Sequence, residues 1–538
     1  ITNFNFSKFI PDVKVRTPKT FVIGTQEFES FLKNNKLASM LLVNDDYDEI
    51  KKQFVKGKLS EKLSIKLSEL LTRIKKPIAV RSSGMFEDSL AQPFAGIFET
   101  YLLPNNHPEP AVRLAQAKDA IKLVMASVFS NTAKGYVKAI NYKIEEEKMA
   151  VIIQEVVGNE YGSLYYPHIS GVAQSYNFYP FAHMKPEEGF AIAAAGLGKY
   201  VVEGNKAYRF SPKYPSTEIN TTKDQFRNSQ VKFYAVDLQK ENLNLLDGEL
   251  AGLAENDVSL AEKHGTLKHL ASVYNADNNT VYPGISKPGP RIINFANILK
   301  YNYISLAKTI DLVLKLGKDA MGTAVEIEYA VDLEKDSEGK ASFYILQIKP
   351  LIQAGFDCNI DLESINKKSI LLYSEKGMGN GIIDNISDII YADVEGFDKS
   401  ETEEMAKEIE EFNDYMIKQN RKYVLIGPGR WGTRDKWIGI PVKWHMISNA
   451  KVIIESSLDN FPLDASSGSH FFHNVTSMNV GYFTVQPELL VSYIKYDLLE
   501  KQEIIQKGKY FNHVRFKKPI TIMMDGKKRI YLIKQNEY

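Results

Sequence analysis

The fold prediction starts from two stretches, Val325-Glu326-Ile327-Glu328-Tyr329-Ala330-Val331-Asp332 and Phe343-Tyr344-Ile345-Leu346-Gln347-Ile348-Lys349-Pro350. The polar segment Glu334 to Lys340 separates them, so together they predict a β-hairpin with arms at 324–332 and 342–351. Successive side chains of a strand point to opposite faces. The first arm therefore has an apolar face and an acidic face, and the acidic face carries Glu326, Glu328 and Asp332.

The second arm is expected to bring polar groups next to these carboxylates. Strict alternation places its odd-numbered side chains on a common face: Phe343, Ile345, Gln347 and Lys349. Antiparallel pairing then sets two carboxylates beside an amide and an ammonium, a group that can hold Mg²⁺ and the phosphate chain of a nucleotide. A hairpin with one solvated face is the alternative explanation of the same pattern.

Three shorter segments offer further candidate contacts. Arg81-Ser82-Ser83 ends an apolar strand, where a fixed cation and small hydroxyls can meet a phosphate, although an N-cap with a surface arginine fits equally well. The strand Val151 to Val157, with Gln154, can face an adenine edge or be an ordinary buried strand. Gly196-Leu197-Gly198-Lys199 is a glycine turn with a cation, too brief to specify phosphate binding by itself.

Composition limits the class of protein. The 538 residues allow three or four domains, and 44% of them are hydrophobic. The formal net charge is 67 − 66 = +1, so no general attraction to nucleic acid or to an anionic membrane is expected. Cys358 is the single cysteine, and no apolar run is long enough to span a bilayer. We therefore expect a cytoplasmic protein without nucleic-acid or membrane partners.

Taken in order, these segments resemble the N-terminal ATP-binding domain of the phosphoenolpyruvate synthase and pyruvate phosphate dikinase family, a variety of the ATP-grasp fold. The resemblance covers about residues 15 to 352. The segments that carry it, besides the hairpin, are Ala79 to Ser83 with Glu87-Asp88, Phe94-Ala95-Gly96 with Glu99-Thr100, Val151 to Val157, Ser170 to Ala173, and Gly196 to Gly198 with Val201, Val202 and Gly204.

The resemblance implies a set of site residues and two cofactors, ATP and Mg²⁺. Arg81 is expected to contact the ATP phosphates, and Gln154 with the following backbone to lie at the adenine. Glu328 and Gln347 are expected at the metal and the phosphates, with Glu326 in the neighbouring acidic position. Lys349, at the end of the same face, is the expected catalytic cation of this domain.

The sequence departs from the family pattern in several places. Residues 1 to 30 lack the family's Gly-Gly-Lys segment, so we expect it in an additional N-terminal region before Ile1, or else an impaired site. Lys349 stands where the family usually has Arg, and Lys199 where it usually has Glu. The mobile phosphohistidine domain is not recognisable, and the 186 residues after Ile352 (538 − 352) are too few for a pyruvate-binding barrel of about 250.

The C-terminal part has two candidate segments of its own. Ile426-Gly427-Pro428-Gly429-Arg430-Trp431-Gly432-Thr433 is a glycine-rich turn that can ring an anion, with Arg430 as a charged donor, or a tight turn around a packed tryptophan. His470 follows Ser-Gly-Ser and can act as a phosphoryl acceptor or as acid and base, although a packed structural histidine is an ordinary alternative. Both residues are candidate catalytic groups on the acceptor side.

These observations predict an α+β chain in three parts. Residues 1–352 form an ATP-grasp-like nucleotide-binding fold of two subdomains, 353–366 a linker, and 367–538 a smaller α/β or α+β domain. The predicted function is Mg²⁺-dependent phosphoryl transfer from ATP to an unidentified acceptor. The alternative is a nucleotide-binding regulatory or scaffold protein whose catalysis has lapsed.

Overall fold

The chain divides into two compact units of mixed helix and sheet. The computed structural model describes residues 4–41, 46–85, 87, 96–139, 144–177, 184–218, 222–240, 243–351, 360–394, 397–433, 435–458, 461, 463, 475, 480–486, 491–526 and 528–536. Of these, the first unit takes the residues within Ile1–Asn177, Phe181–Val202 and Lys206–Pro350. The second unit takes those within Glu203–Asn205 and Leu351–Tyr538. The first half of the predicted linker, 353–359, lies outside the described residues.

Some helices of the first unit begin at a capping residue that precedes regularly spaced apolar positions. Ser60 accepts a hydrogen bond from the backbone N–H of Leu63, and the helix that follows buries Leu63, Leu67 and Leu71 on one face. The α-helices are α1 Thr25–Asn34, α2 Ala38–Leu41, α3 Tyr47–Lys56, α4 Glu61–Arg73, α5 Pro110–Ala126, α6 Asn131–Ala139, α7 Lys199–Val202, α8 Thr222–Arg227, α9 Val258–Lys263, α10 Ala296–Leu299 and α11 Leu306–Met321.

Strands of the first unit form four sheets, counted over the described residues. The strands are β1 Val13–Arg16, β2 Thr20–Ile23, β3 Ile78–Gly84, β4 Tyr101–Leu103, β5 Met149–Glu155, β6 Asn159–Tyr161, β7 Leu164–Tyr166, β8 Ile169–Gln174, β9 Phe190–Ala195, β10 Tyr208–Phe210, β11 Lys232–Asp237, β12 Leu253–Asp257, β13 Ala271–Asn275, β14 Thr280–Pro283, β15 Arg291–Ile293, β16 Val325–Asp332 and β17 Ala341–Pro350. The sheet orders are β1-β17-β16-β8-β9-β10, β2-β5-β3-β4, β12-β11-β7-β6 and β14-β13-β15.

The β16–β17 hairpin forms, but its faces differ from the prediction. Glu326 lies opposite Lys349 and Glu328 opposite Gln347, whereas Tyr329 lies opposite Ile345. Leu346 is therefore an extra residue, and this bulge reverses the alternation within β17. The prediction that Phe343, Ile345, Gln347 and Lys349 share one face is wrong for this reason. The bulge gives the strand an apolar part and a polar part on opposite faces.

Apolar side chains on the other face of the hairpin hold it in the sheet. Tyr329 is fully buried, stacks on Phe343 with ring centroids 5.2 Å apart, and donates a hydrogen bond to the carbonyl oxygen of Ile192 at 2.9 Å. Its ring crosses β8 at Gly171, where a Cβ atom would lie 2.4 Å from the tyrosine hydroxyl and 2.0 Å from the Ile192 oxygen. Glycine is required there because no side chain fits between the two strands.

The second unit is built on a mixed sheet flanked by a long helix. Its strands and α-helices are β18 Ile370–Ser374, β19 Lys376–Met378, β20 Gly381–Ala392, α12 Thr402–Lys418, β21 Tyr423–Pro428, β22 Arg430–Trp431, β23 Gly439–Ile440, β24 Ala450–Ser456, β25 Gly481–Val485, β26 Tyr493–Ile494, α13 Tyr496–Glu500, β27 Glu503–Lys507, β28 Phe511–Asp525 and β29 Ile530–Lys534. The sheet order is β19-β25-β24-β21-β20-β28-β29-β18-β26, and β27 pairs with β28. No helix in the described ranges is long and apolar enough to cross a bilayer.

Replacing Gly171 by alanine should destabilise the first unit strongly. The added methyl group has no space against backbone and a fixed ring, so Gly171→Ala should lower the free energy of unfolding by at least about 2 kcal/mol. Gly198→Ala is the matched control, because the nearest atom to its Cβ lies 3.5 Å away. Urea unfolding of both variants checks this, and an unchanged midpoint for Gly171→Ala would contradict the packing described.

Candidate functional site

The polar face of the hairpin meets a side chain from a different sheet. Arg81 lies on β3, in the sheet β2-β5-β3-β4, and is 247 residues away in sequence from Glu328. Its Nη2 atom donates to Glu328 Oε2 at 3.0 Å and to Gln347 Oε1 at 2.6 Å. The fold thus brings together three side chains that the sequence analysis assigned to nucleotide and metal binding.

A second cation lies on the other side of the same carboxylate. Lys349 Nζ is 3.8 Å from Glu328 Oε1, and its side chain is only 5% exposed. Glu328 itself is 14% exposed, so the charges interact in a poorly solvated environment. Glu328 is therefore held between a guanidinium on one oxygen and an ammonium on the other.

Glu326 has a partner that the sequence analysis missed. Gln174, at the end of β8, donates from Nε2 to Glu326 Oε2 at 2.5 Å. Both residues are buried, and Gln174 Oε1 has no hydrogen-bond partner among the described residues. A polar residue directly after the apolar run Gly171-Val172-Ala173 was the available signal. Gln174 fixes the orientation of Glu326 and leaves one buried acceptor oxygen beside the site.

Gln154 also reaches the hairpin, through the bulge. Its Nε2 atom donates to Thr20 Oγ1 at 3.1 Å and to the carbonyl oxygen of Leu346 at 3.4 Å. Leu346 is the extra residue of β17, and no residue of β16 lies opposite it. Gln154 is 7% exposed. It ties β5 to the hairpin, and its expected place at the adenine stays a prediction.

The donor set at the hairpin fits a magnesium ion bound together with phosphates. The guanidinium of Arg81 already bridges Glu328 Oε2 and Gln347 Oε1, so these two oxygens can share one cation. Over the residues described, no group of three or more His, Cys, Asp or Glu side chains is placed to hold a metal. Mg²⁺ is commonly bound by one or two carboxylates, waters and substrate phosphates, so this sparse set is sufficient.

Lys199, which replaces the family's usual glutamate, has an acidic partner in the same unit. Its Nζ atom lies 3.3 Å from Glu249 Oε2, while Glu249 Oε1 accepts from the backbone N–H of Thr100 at 2.7 Å. Glu99 lies next to this pair and accepts hydrogen bonds from two tyrosine hydroxyls. Burial, together with the charge of Glu249, raises the pKa of Glu99. Sequence inspection gave no signal for this cluster, because its members are up to 202 residues apart (249 − 47).

The glycine-rich turn of the second unit packs closely against its neighbours. Trp431 is fully buried; its backbone N–H donates to Glu455 Oε1 at 3.0 Å and its indole N–H to the carbonyl oxygen of Ile454 at 3.2 Å. Arg430 is 8% exposed and donates from Nη1 to the carbonyl oxygen of Gly204 at 3.1 Å. These contacts suit a tight turn around a packed tryptophan. The catalytic role of Arg430 stays a prediction, and His470 lies outside the described residues.

A buried carboxylate that the sequence analysis did not select organises the second unit. Asp388, on β20, accepts hydrogen bonds from Arg421 at 2.6 and 2.7 Å, from Arg515 at 2.8 Å and from His513 at 2.8 Å. Burial raises the pKa of Asp388, but these three partners outweigh it, so the pKa lies below its usual value. The sequence feature that could have pointed to Asp388 is a charged residue within the mainly apolar segment Ile386 to Ile390.

Comparison with known proteins shows the family to which the chain belongs. Residues 3–363 match the family model described as pyruvate phosphate dikinase, AMP/ATP-binding domain. The chain therefore belongs to the family of nucleotide-binding domains found in pyruvate phosphate dikinase, as the sequence resemblance indicated. It is also 30% identical over 191 residues to a Bacillus subtilis (strain 168) protein named uncharacterized phosphotransferase YvkC. That match covers 35% of this chain and 20% of the relative, so the two share only part of their lengths.

Replacing Asp388 should destabilise the second unit in a pH-dependent way. Asp388→Asn removes the charge that accepts hydrogen bonds from two arginines, both of them partly exposed, so the free energy of unfolding at pH 7 should fall by about 1.5–3 kcal/mol. Because the folded pKa is lowered, the carboxylate stabilises the fold above its unfolded pKa of about 3.9 and loses that effect as the pH falls below it.

Urea unfolding at several pH values measures both effects. The variant should show a smaller loss of stability between pH 6 and pH 3 than the wild type. Glu404→Gln, which removes an exposed pair with Lys407, is the control and should change stability little. Equal stability of Asp388→Asn and wild type at pH 7 would contradict the description of this cluster.

Proposed function

We propose that the first unit binds Mg·ATP at the polar face of the hairpin and that the protein transfers a phosphoryl group from it to an acceptor. The convergence of Arg81, Glu328, Gln347 and Lys349 supports this proposal most directly. An ATP-grasp-like arrangement within residues 1–352, the linker 353–366 and a separate domain at 367–538 are part of it. A cytoplasmic location also belongs to the proposal.

Each side chain of the polar face has a definite task in this proposal. Glu328 and Gln347 hold the metal, with Glu326 kept beside them by Gln174. The bound metal would neutralise charge on the phosphates. Arg81 offers a planar fork that matches phosphate oxygens, while Lys349 acts as a point charge in place of the family's arginine. Gln154 lies at the adenine, close to the backbone of the bulge.

Lys199 stands where the family usually has a glutamate, and its ion pair with Glu249 keeps a carboxylate at this place in the first unit. A glutamate at position 199 would bring two carboxylates together, next to the partly buried Glu99. Two carboxylates so close would repel each other, whereas Lys199 attracts Glu249. Glu249 then supplies the carboxylate that the family has at position 199. We infer that this departure is a compensated exchange and does not impair the nucleotide site.

The acceptor side belongs to the second unit in this proposal. Arg430 and His470 are its candidate groups, as an anion donor and as a phosphoryl relay or acid and base. The phosphotransferase named above shares only part of its length with this chain, so it identifies no acceptor. A lapsed, purely nucleotide-binding protein is the competing function, favoured by Lys349 in the place of the family's usual arginine. Formation of AMP or ADP from ATP and Mg²⁺ separates the two.

Removing the metal-binding carboxylate should weaken Mg·ATP binding. Glu328→Gln keeps the shape and loses the charge, so we expect at least about a tenfold rise in Kd, roughly 1.4 kcal/mol. Glu338→Gln in the loop of the same hairpin is the matched control, since its side chain is 57% exposed. Calorimetry measures both. An unchanged Kd for Glu328→Gln would remove the hairpin from the nucleotide site.

Changing the acceptor side should leave nucleotide binding intact. Arg430→Ala and His470→Ala are each expected to abolish transfer while the Kd for Mg·ATP stays within about twofold of wild type, because binding and acceptance use different groups. Phosphoenzyme formed with labelled ATP should disappear in His470→Ala. Normal specific activity in the folded fraction, with a lower melting temperature, would instead make these residues structural.

A further inference from the structure

We propose that Arg81 makes metal binding depend on the nucleotide: its guanidinium occupies the metal ligands until phosphates draw it away. This inference rests on the proposed function and concerns the order and specificity of binding at the same site. The proposal is based on one nitrogen of Arg81, which bridges Glu328 Oε2 and Gln347 Oε1, the two oxygens assigned to the metal.

The ligand oxygens are already satisfied by cations of the protein itself. Arg81 Nη2 lies 3.0 Å from Glu328 Oε2, and Lys349 Nζ lies 3.8 Å from Glu328 Oε1, so each carboxylate oxygen faces a positive charge. A divalent ion entering alone would join two cations around a single carboxylate. It would also have to displace a charge-assisted hydrogen bond of 2.6 Å from Gln347.

Partial burial makes this competition effective. The side chains of Arg81 and Glu328 are 19% and 14% exposed, and Lys349 is 5% exposed, so solvent screens their charges weakly. Mg²⁺ loses its hydration waters reluctantly, which further disfavours its entry into an occupied site. A free divalent ion should therefore bind poorly, although Glu328 and Gln347 are already close enough together to share a cation.

Bound phosphates should shift the competition for Glu328 and Gln347 from Arg81 to the metal. A polyphosphate offers several anionic oxygens to the planar fork of Arg81 and to Lys349, and these are better partners than one carboxylate oxygen. When the two cations turn to the phosphates, Glu328 and Gln347 become available to the metal. Metal and nucleotide then bind with positive coupling, and by linkage each raises the affinity of the other by the same factor. Arg81 thus selects the metal–nucleotide complex over the free ion.

The test uses Mn²⁺ as the probe and counts the free ion by electron paramagnetic resonance. In the full chain without nucleotide, Arg81→Gln should bind Mn²⁺ at least about tenfold more tightly than wild type, because the bridge is gone. A β,γ-imido analogue of ATP should raise the Mn²⁺ affinity of wild type by about tenfold or more, and that of Arg81→Gln much less.

Two controls make the result specific. Arg291→Gln breaks a similar pair, Arg291 with Glu262 at 2.6 and 2.9 Å in the same unit, and should leave Mn²⁺ binding unchanged. The double variant Arg81→Gln with Glu328→Gln should not show the gain in Mn²⁺ affinity, because it lacks the metal-binding carboxylate. Arg81→Lys, which keeps the charge without the fork, should show a smaller gain and replaces Arg81→Gln if that variant melts at a lower temperature.

The outcomes separate this inference from the proposed function. Unchanged Mn²⁺ affinity in a folded Arg81→Gln overturns the inference, whereas binding of the ATP analogue by wild type would still support the nucleotide site. A gain in Mn²⁺ affinity for Arg81→Gln together with no binding of the analogue by wild type would show that Arg81 shields the metal ligands, but it would overturn the proposed function and, with it, the coupling of metal to nucleotide. Equal Mn²⁺ affinity of wild type with and without a bound analogue also overturns the inference.

Discussion

The pairing of β16 with β17 is the constraint on which the candidate site depends. Leu346 adds one residue to β17, and this bulge sets Gln347 opposite Glu328 and Lys349 opposite Glu326 while Ile345 remains opposite Tyr329. Without the extra residue, the apolar and polar parts of β17 would compete for one face. The carbonyl of Leu346 accepts a hydrogen bond from Gln154 on another sheet. A single irregularity therefore fixes the polar face and joins it to β5.

Charge balance at that face explains why its residues tolerate burial. Glu328 is shared between Arg81 and Lys349, and Glu326 is held by Gln174. Buried charges persist in proteins when opposite charges and hydrogen bonds compensate them. The same cations suit phosphate oxygens, so the contacts that stabilise the hairpin are also the basis of the proposed nucleotide site. The second unit follows a similar rule, with Asp388 held by Arg421, Arg515 and His513.

Sequence reasoning could predict the hairpin and the family, because period-2 alternation and the order of motifs are local signals. It could not predict the bulge, since nothing in Tyr344-Ile345-Leu346-Gln347 marks the inserted residue, and the expected common face of Phe343 and Gln347 was wrong. Gln174 and Glu249 were missed because their partners, Glu326 and Lys199, lie far away in sequence. The contact between Arg81 and Glu328 likewise depends on how two sheets face each other.

In the proposed function, the polar face of the hairpin holds the metal and the phosphates of ATP. A crystal structure of the full chain with Mn²⁺ and the β,γ-imido analogue would show whether it does, since anomalous scattering locates the metal. We expect a manganese peak between Glu328 and Gln347, with Arg81 turned from the carboxylate to the phosphates. A metal bound elsewhere, or a nucleotide bound while Arg81 still bridges Glu328 and Gln347, would contradict it.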